Sequence, residues 1–246
     1  MDNTALNLQR SIVPESIKEL RINLQFNGIY KDVKSILVTS PLAKEGKSFI
    51  AKSLAIAFAQ NKKKVIVVDG DTRTGVQAEI FDAQLTDGLS DLLSKMESTP
   101  DFDLGCLDDY IKSTDFENIS ILTRGTRCTN PAELFSSDSM LLLYEKLKET
   151  FDIIIFDGSS SLLFTDGIIL STIADITVIV AKYKITKIED LKKLKKYIEG
   201  VGGRIAGVVL NSFGYKEINF KASLSRKKRK EKKKDIYPGY YVNNQS

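Results

Sequence analysis

The chain has 246 residues, of which 42% are hydrophobic and 28% charged, and its formal net charge at pH 7 is +4. This length and composition predict a globular protein with one sizeable core. No apolar run approaches the ~20 residues that a membrane-spanning helix needs, and no signal-peptide pattern is seen, so we expect no membrane span. The absence of histidine excludes histidine-based triads and most zinc sites. Two cysteines, Cys106 and Cys128, suit a reducing cytoplasm rather than a disulfide framework.

The first 26 residues predict a short leader and a helix. Residues 1–13 are expected to be flexible, and Pro14 is a favourable helix start. Apolar residues then recur at helical spacing to about Phe26: Ile17, Leu20 and Leu24. Charged residues lie beside this stripe at a spacing of three, which by itself indicates only a solvated face: Glu15, Lys18 and Arg21.

A phosphate-binding loop is predicted next. Ile36–Val38 predicts a buried strand, the loop ends in Gly46-Lys47-Ser48, and Phe49–Gln60 predicts a helix. The helix start favours an anion, Lys47 supplies positive charge for the outer phosphates, and the Ser48 hydroxyl can bind Mg²⁺. The residues expected at the nucleotide are Lys44, Glu45, Gly46, Lys47, Ser48 and Phe49.

The loop departs from the common pattern at two positions. Pro41 stands where that pattern has glycine, and Lys44 stands where related loops often have another glycine. A residue other than glycine forced to positive φ costs roughly 1–2 kcal/mol, so we expect strain or a different loop shape.

Carboxylates follow two further predicted strands. Val65–Val68 is followed by Asp69 and Asp71, two residues apart on an extended chain. One of the two can hold Mg²⁺ or its waters, and the other can accept a hydroxyl proton. The strand Ile153–Phe156 ends in Asp157, which is the Walker B arrangement for a metal.

The remaining patterns complete an alternating order of strands and helices. Ile119–Leu122, Ile176–Val180 and Ala206–Leu210 predict strands, the last followed by Asn211. Asn130-Pro131 predicts the start of a helix that runs to about Thr150, and Thr186–Glu189 predicts a capping box opening a helix to about Gly200. We therefore expect a doubly wound α/β fold with a mostly parallel sheet and helices on both faces, of the P-loop NTPase kind.

The C-terminal segment is basic. Ten Lys or Arg residues and two Glu lie between Lys216 and Lys234, a net charge of +8, which leaves −4 for the rest of the chain. This composition predicts a disordered tail, and charge alone allows a solvated segment, an anionic membrane surface or nucleic acid. Three tyrosines follow on this tether: Tyr237, Tyr240 and Tyr241.

Over roughly residues 12–246 these motifs resemble the bacterial tyrosine kinases, specifically the cytoplasmic kinase chains that regulate capsule and exopolysaccharide synthesis. The strand with Asp69-Gly70-Asp71-Thr72-Arg73 resembles the Walker A′ motif of that family. Asn130–Leu134 and Val209–Asn211 also resemble family segments, and Glu15, Lys18 and Arg21 resemble its N-terminal Glu-x-x-Arg-x-x-Arg helix, with lysine at the middle position.

The resemblance implies roles for these residues. ATP and Mg²⁺ are the expected ligands, with Lys47, Asp69 and Asp71 catalytic. Ser48, Asp71 and Asp157 serve the metal, and Asn211 reads adenine. Glu15, Lys18 and Arg21 form the contact in a ring of subunits, and the tail tyrosines are phosphorylated by a neighbouring subunit.

The resemblance also implies an organisation and partners. Residues 14–215 form the kinase domain, and residues 216–246 form a basic linker with the tyrosine cluster. The implied partners are the cytoplasmic segment of a transmembrane polysaccharide co-polymerase and a tyrosine phosphatase, with no specific nucleic acid. The expected location is the inner face of the cell membrane, reached through that partner.

Two alternatives stay open. The first is a partitioning or division-site ATPase of the same fold, although such proteins usually carry a signature lysine where this chain has Leu42. The second is a degenerate or non-catalytic regulator of the same pathway, and two departures from the family pattern favour it. The family's Walker B usually reads Asp-x-Pro-Pro, where this chain has Asp157-Gly158-Ser159-Ser160, and Lys44 replaces a loop glycine. Because proline fixes φ, its loss predicts a soft loop after Asp157.

Overall fold

The computed structural model describes residues 13–26, 32–84, 86–99 and 101–212 and the backbone of 241–243. Residues 1–12 of the predicted leader, the basic linker, Tyr237 and Tyr240 lie outside the described residues, so the predictions for them stay predictions. Val13, the last residue of the predicted leader, is buried. The prediction of a disordered tail is wrong at Tyr241–Asn243, because these residues pair with the strand Ile205–Asn211. Within the described part of the chain, no helix is long and apolar enough to cross a bilayer.

One sheet runs through the molecule. Its strands are β1 (Ser35–Ser40), β2 (Val65–Asp69), β3 (Ile111–Ser113), β4 (Ile119–Leu122), β5 (Ile153–Ser160), β6 (Ile176–Lys182), β7 (Ile205–Asn211) and β8 (Tyr241–Asn243). Their spatial order is β3-β4-β2-β5-β1-β6-β7-β8. The strands β4, β2, β5, β1, β6 and β7 are parallel, whereas β3 and β8 pair antiparallel at the two ends.

Helices cover both faces of this sheet. They are α1 (Glu15–Phe26), α2 (Lys47–Gln60), α3 (Gln77–Ile80), α4 (Leu89–Ser98), α5 (Leu107–Tyr110), α6 (Pro131–Phe135), α7 (Asp138–Thr150), α8 (Asp166–Ile173) and α9 (Ile188–Gly200). The central strands read as continuous apolar runs because both of their faces are buried. Helices α1 and α2 pack on one face, and α4, α7 and α8 pack on the other. The predicted doubly wound fold is confirmed.

Helix α1 has the predicted amphipathic character. Ile17, Leu20 and Leu24 are buried, and the helix packs against α2. On the other side, Lys18 Nζ lies 2.9 Å from Glu15 Oε2 in an exposed ion pair, and the Arg21 guanidinium donates to Gln25. The predicted subunit contact of this face stays a prediction.

The predicted single helix from Pro131 to about Thr150 is wrong, because the chain forms two helices with a break at Ser136 and Ser137. The Ser136 hydroxyl donates to the Ala132 carbonyl at 2.8 Å, and the Ser137 hydroxyl accepts from the Met140 N–H. The Ser137 hydroxyl caps α7, whereas the Ser136 hydroxyl is a second donor to the Ala132 carbonyl, which also accepts from the Ser136 N–H at 3.1 Å. Leu141 and Leu142 on α7 are exposed, whereas Leu147 is buried.

Candidate functional site

The residues predicted to act on a nucleotide meet at the carboxyl edge of three neighbouring strands. Strand β5 lies between β2 and β1, so the ends of all three adjoin. Asp69 at the end of β2 is in register with Asp157 in β5. Lys47 follows β1, and its Nζ lies 3.2 Å from Asp71 Oδ2. The topology thus brings Lys47, Asp69, Asp71 and Asp157 to one rim, which is where ligands bind in open α/β sheets.

The loop before α2 has the backbone that a phosphate-binding loop requires. Gly46 has φ 98°, and a Cβ there would lie 2.0 Å from Asn211 Nδ2. Only glycine fits, because both the conformation and the space exclude a side chain. No side chain caps α2 at Gly46, and the first N–H groups of a helix lack intrahelical partners, so an anion is favoured there. Lys44 has φ 63°, which confirms the expected strain.

The Asn211 side chain contacts this loop. Its Nδ2 donates to the Glu45 carbonyl at 2.8 Å, and its Oδ1 accepts from the Ser212 N–H. Strand β7 therefore supports the loop through its last residue. The predicted contact of Asn211 with adenine stays a prediction.

Glu45 was predicted to contact the nucleotide, and its side chain has a further role that the sequence did not indicate. The carboxylate is 1% exposed, accepts from the Leu42 N–H at 2.8 Å, and accepts from the Thr186 hydroxyl. Thr186 also accepts from the Lys182 N–H, and Lys187 rather than Thr186 is the N-cap of α9. The predicted capping box at Thr186 is wrong because Glu45 and Lys182 occupy its hydroxyl.

Asp71 is held as a carboxylate. Its oxygens accept from the Thr74 N–H and hydroxyl, each at 2.9 Å. Burial by itself raises the pKa of Asp71, but Lys47 and the Thr74 donors outweigh burial and lower it below its ordinary value. Asp71 therefore offers a negative charge beside Lys47.

Asp69 and Asp157 are buried side by side. Asp69 Oδ2 accepts from the Gln77 N–H at 3.1 Å, and Asp69 Oδ1 accepts from the Asp71 N–H at 3.3 Å. Burial, and then the nearby Asp157 charge, raises the pKa of Asp69 well above its ordinary value. Burial likewise raises the pKa of Asp157, against the opposing effect of Lys47. A cation between these groups would offset the cost of their charge.

The predicted soft loop after Asp157 is wrong. Strand β5 continues to Ser160, and Gly158, Ser159 and Ser160 are all buried. The Ser161 N–H donates to the Ser40 carbonyl at 2.9 Å, and the Leu162 N–H donates to the Pro41 carbonyl at 3.2 Å. Main-chain pairing therefore holds this segment against the beginning of the phosphate-binding loop.

The site also contains residues to which the sequence patterns assigned no role. Gln77, the first residue of α3, is fully buried between Ser48, Asp69 and Asp157. Arg73, within the Walker A′ motif, pairs with the buried Asp166 at the start of α8, and its guanidinium lies 4.4 Å from the Phe164 ring centroid. A buried glutamine eight residues after Asp69 has no short-range sequence signal.

The donor set fits Mg²⁺ bound together with a nucleotide. Among the described residues, no group of three or more carboxylate, cysteine or histidine side chains could hold a metal by itself. Mg²⁺ commonly binds through one or two carboxylates, with waters and substrate phosphates completing its shell. Asp157 Oδ1 is buried and has no hydrogen-bond partner in the described part of the chain. An acceptor oxygen of this kind suits a hydrated cation held by Ser48, Asp71 and Asp157.

Comparison with known proteins gives sequence relatives along most of the chain. The model of the CobQ/CobB/MinD/ParA nucleotide binding domain matches residues 36–238. The tyrosine-protein kinase YwqD of Bacillus subtilis (strain 168) is 30% identical over 207 residues, which cover 84% of each chain. The tyrosine-protein kinase ptk of Acinetobacter johnsonii is 32% identical over 200 residues, 81% of this chain. The chain spans about a quarter of that relative's length, 26%.

Solved structures similar to this chain include a tyrosine kinase domain and other proteins of the same fold. The crystal structure of the chimerical protein CapA2B2 has a TM-score of 0.72 and 34% identity, covering 80% of this chain and 83% of that one. The kinase domain of the Escherichia coli tyrosine kinase ETK has a TM-score of 0.72 and 25% identity, covering 80% and 74%. The septum site-determining protein MinD from Pyrococcus horikoshii, complexed with Mg-ADP, has a TM-score of 0.58 at 23% identity, covering 74% and 71%. The MinD similarity concerns the fold alone.

Proposed function

We propose, from the premise that this chain belongs to the bacterial tyrosine kinases within the CobQ/CobB/MinD/ParA nucleotide-binding family, that it is an ATP-dependent protein-tyrosine kinase. The observation that carries the proposal is the convergence of Lys47, Asp69, Asp71 and Asp157 at one rim of the sheet, with Lys47 Nζ 3.2 Å from Asp71 Oδ2. Phosphoryl transfer needs positioning and charge neutralisation more than covalent chemistry, and this rim supplies both.

Each side chain has a task in the proposed reaction. Lys47 and the N–H groups at the start of α2 bind the outer phosphates of ATP. Ser48, Asp71 and Asp157 hold Mg²⁺, which when bound neutralises charge on the transferred phosphoryl group. Asp69 accepts the proton of the tyrosine hydroxyl. The tyrosine oxygen bonds to the γ-phosphorus of ATP as the bond between that phosphorus and ADP breaks.

We propose that the substrate is the tyrosine cluster of a neighbouring subunit: Tyr237, Tyr240 and Tyr241. A flexible linker of about 20 residues has an r.m.s. span of roughly 25 Å, which is enough to reach an adjoining site in a ring of subunits. The face of α1 that carries the exposed Glu15 and Lys18 and the half-buried Arg21 is the proposed ring contact.

The proposed biological role is control of capsular or exopolysaccharide synthesis. Its support is the family membership. The partners would be the cytoplasmic segment of a transmembrane polysaccharide co-polymerase, which recruits the chain to the inner face of the membrane, and a tyrosine phosphatase that reverses the reaction.

The test is a mixing experiment. A Lys47→Ala chain lacks phosphoryl-transfer activity but keeps its tyrosines, and a chain with Tyr237, Tyr240 and Tyr241 changed to Phe keeps the site but lacks acceptors. We expect phosphotyrosine in the mixture, on the Lys47→Ala chain, and none in either chain alone. Absence of phosphotyrosine in wild type and mixture, with or without the partner's cytoplasmic segment, would contradict a kinase.

The fold match with MinD favours one second candidate, an ATPase that hydrolyses ATP without phosphorylating protein. Leu42 occupies the position of the signature lysine of such ATPases, which argues against this function. The same incubations distinguish the two, because ATP hydrolysis without phosphotyrosine favours the ATPase. Nucleotide binding with neither reaction favours a non-catalytic regulator, for which the strained Lys44 is the supporting observation.

A further inference from the structure

Gln77 joins the three segments that form the rim. Its side-chain Nε2 donates to Asp157 Oδ2 at 2.8 Å and to the Ser48 carbonyl at 3.1 Å. Its main-chain N–H donates to Asp69 Oδ2 at 3.1 Å. One buried residue therefore contacts the phosphate-binding helix, the Walker A′ strand and the Walker B strand.

These contacts fix the orientation of the amide group. The Ser48 carbonyl can only accept a hydrogen bond, so the amide nitrogen must face it, and both amide hydrogens are then used. The other end, Oε1, is buried and has no hydrogen-bond partner among the described residues. Asp157 Oδ1 is also buried and has no hydrogen-bond partner among the described residues. Two hydrogen-bonded side chains thus each carry a buried acceptor oxygen without a donor.

We infer that Gln77 is a positioning residue for hydrated Mg²⁺. It holds Asp157 through Nε2 and accepts a hydrogen bond through Oε1 from water bound to the ion. Mg²⁺ keeps several of its waters in protein sites, and such waters are donors, which is the partner both unpaired oxygens need. This inference rests on the proposed function, because the ion is the one that accompanies ATP.

A purely structural amide would predict a different pattern. Glutamine that only joins strands is expected to pair its oxygen as well as its nitrogen, because an unsatisfied buried acceptor destabilises the fold. At Gln77 only the donors are satisfied, and the oxygen is left beside residues assigned to the metal.

The experiment is a Mg²⁺ titration of the binding of a fluorescent ATP analogue to the full chain, repeated with EDTA. Gln77→Met keeps the length of the side chain and removes its polar atoms. We expect the Mg²⁺ concentration for half-maximal binding to rise at least tenfold, while analogue affinity in EDTA stays within twofold of wild type. Asp157→Asn is expected to shift in the same direction. Gln84→Met, at an exposed position, is the matched control and should not differ from wild type.

An unchanged Mg²⁺ requirement in a folded Gln77→Met chain would overturn the inference. So would an equal loss of affinity with Mg²⁺ and with EDTA, because a structural role predicts that result. If thermal melting shows that Gln77→Met does not fold, Gln77→Asn replaces it; its shorter side chain withdraws the amide, and a rise of a few fold is expected. Failure of wild type to bind the analogue with Mg²⁺ would instead overturn the proposed function.

Discussion

At the scale of single residues, the backbone at Lys44 departs from what its side chain favours. Its φ of 63° is in the left-handed region, where an L-residue is less stable by about 1–2 kcal/mol. Glycine removes this cost. It also increases the conformational entropy of the unfolded chain, which stabilises the unfolded state by roughly 0.5–1 kcal/mol. We therefore expect Lys44→Gly to raise the free energy of unfolding by about 0.5–1 kcal/mol, measured by urea denaturation.

Ala43 provides the control for this prediction. It is the preceding residue of the same turn and does not have positive φ. Ala43→Gly should lower the free energy of unfolding by a similar amount, because only the unfolded-state term remains. Equal destabilisation by the two glycines would show that the conformation of Lys44 costs nothing.

At the scale of elements, the Asp91 carboxylate is one of the links between the start of α4 and the segment that follows β4. The Asp91 carboxylate accepts a hydrogen bond at 2.9 Å from the N–H of Gly88, the N-cap of α4. It also accepts one at 3.0 Å from the N–H of Thr126. Burial opposes ionisation of Asp91, but the Thr126 and Gly88 donors outweigh burial and lower its pKa. We expect Asp91→Ala to lower the free energy of unfolding by about 1–2 kcal/mol at pH 7.

The pH dependence of this loss follows from the direction of the pKa shift. A carboxyl whose pKa is lower in the folded state contributes stability above its unfolded-state pKa of about 4, and loses it as the pH falls through the folded-state value. The difference between wild type and Asp91→Ala should therefore be constant from pH 6 to 8 and shrink below about pH 4. Asp87→Ala, at an exposed aspartate just before Gly88, should show little effect, and a pH-independent difference for Asp91 would contradict the assignment.

At the scale of the whole molecule, the exposed charges of α1 have no packing role in the described chain. Ile17, Leu20 and Leu24 supply the burial of this helix, while Glu15 and Lys18 stay exposed. If this face forms the proposed ring contact, Arg21→Glu replaces attraction by repulsion between subunits. We expect its mass by light scattering to fall from that of an oligomer to that of one chain, 27.5 kDa.

A charge reversal on another helix controls for the change in net charge. Lys195 lies exposed on α9, where it pairs with Glu199 at 3.5 Å. Lys195→Glu should leave the oligomer intact with Mg-ATP present. Equal masses for Arg21→Glu and wild type, or a monomeric wild type at every concentration, would contradict the ring.

What the sequence determined by itself is local. The six parallel strands, the Gly-Lys-Ser loop, and the acidic residues after β2 and within β5 follow from hydrophobic period and composition over a few residues, and the structure confirms these elements. The short strands β3 and β8 at the two ends of the sheet were not predicted. Boundaries failed where side chains found distant or competing partners, as at Ser136, Ser137 and Thr186.

What only the tertiary structure decided is which distant residues meet. Lys47, Asp71 and Asp157 adjoin because β5 lies between β2 and β1, an order that no short segment encodes. Glu45 reaches Thr186, and Gln77 reaches Asp157, across long stretches of chain. Hydrophobic periodicity predicts which face of a helix or strand is buried, because it depends only on nearby residues. The contacts of Glu45 and Gln77 depend instead on the order of strands in the sheet. They could therefore be identified only in the folded chain.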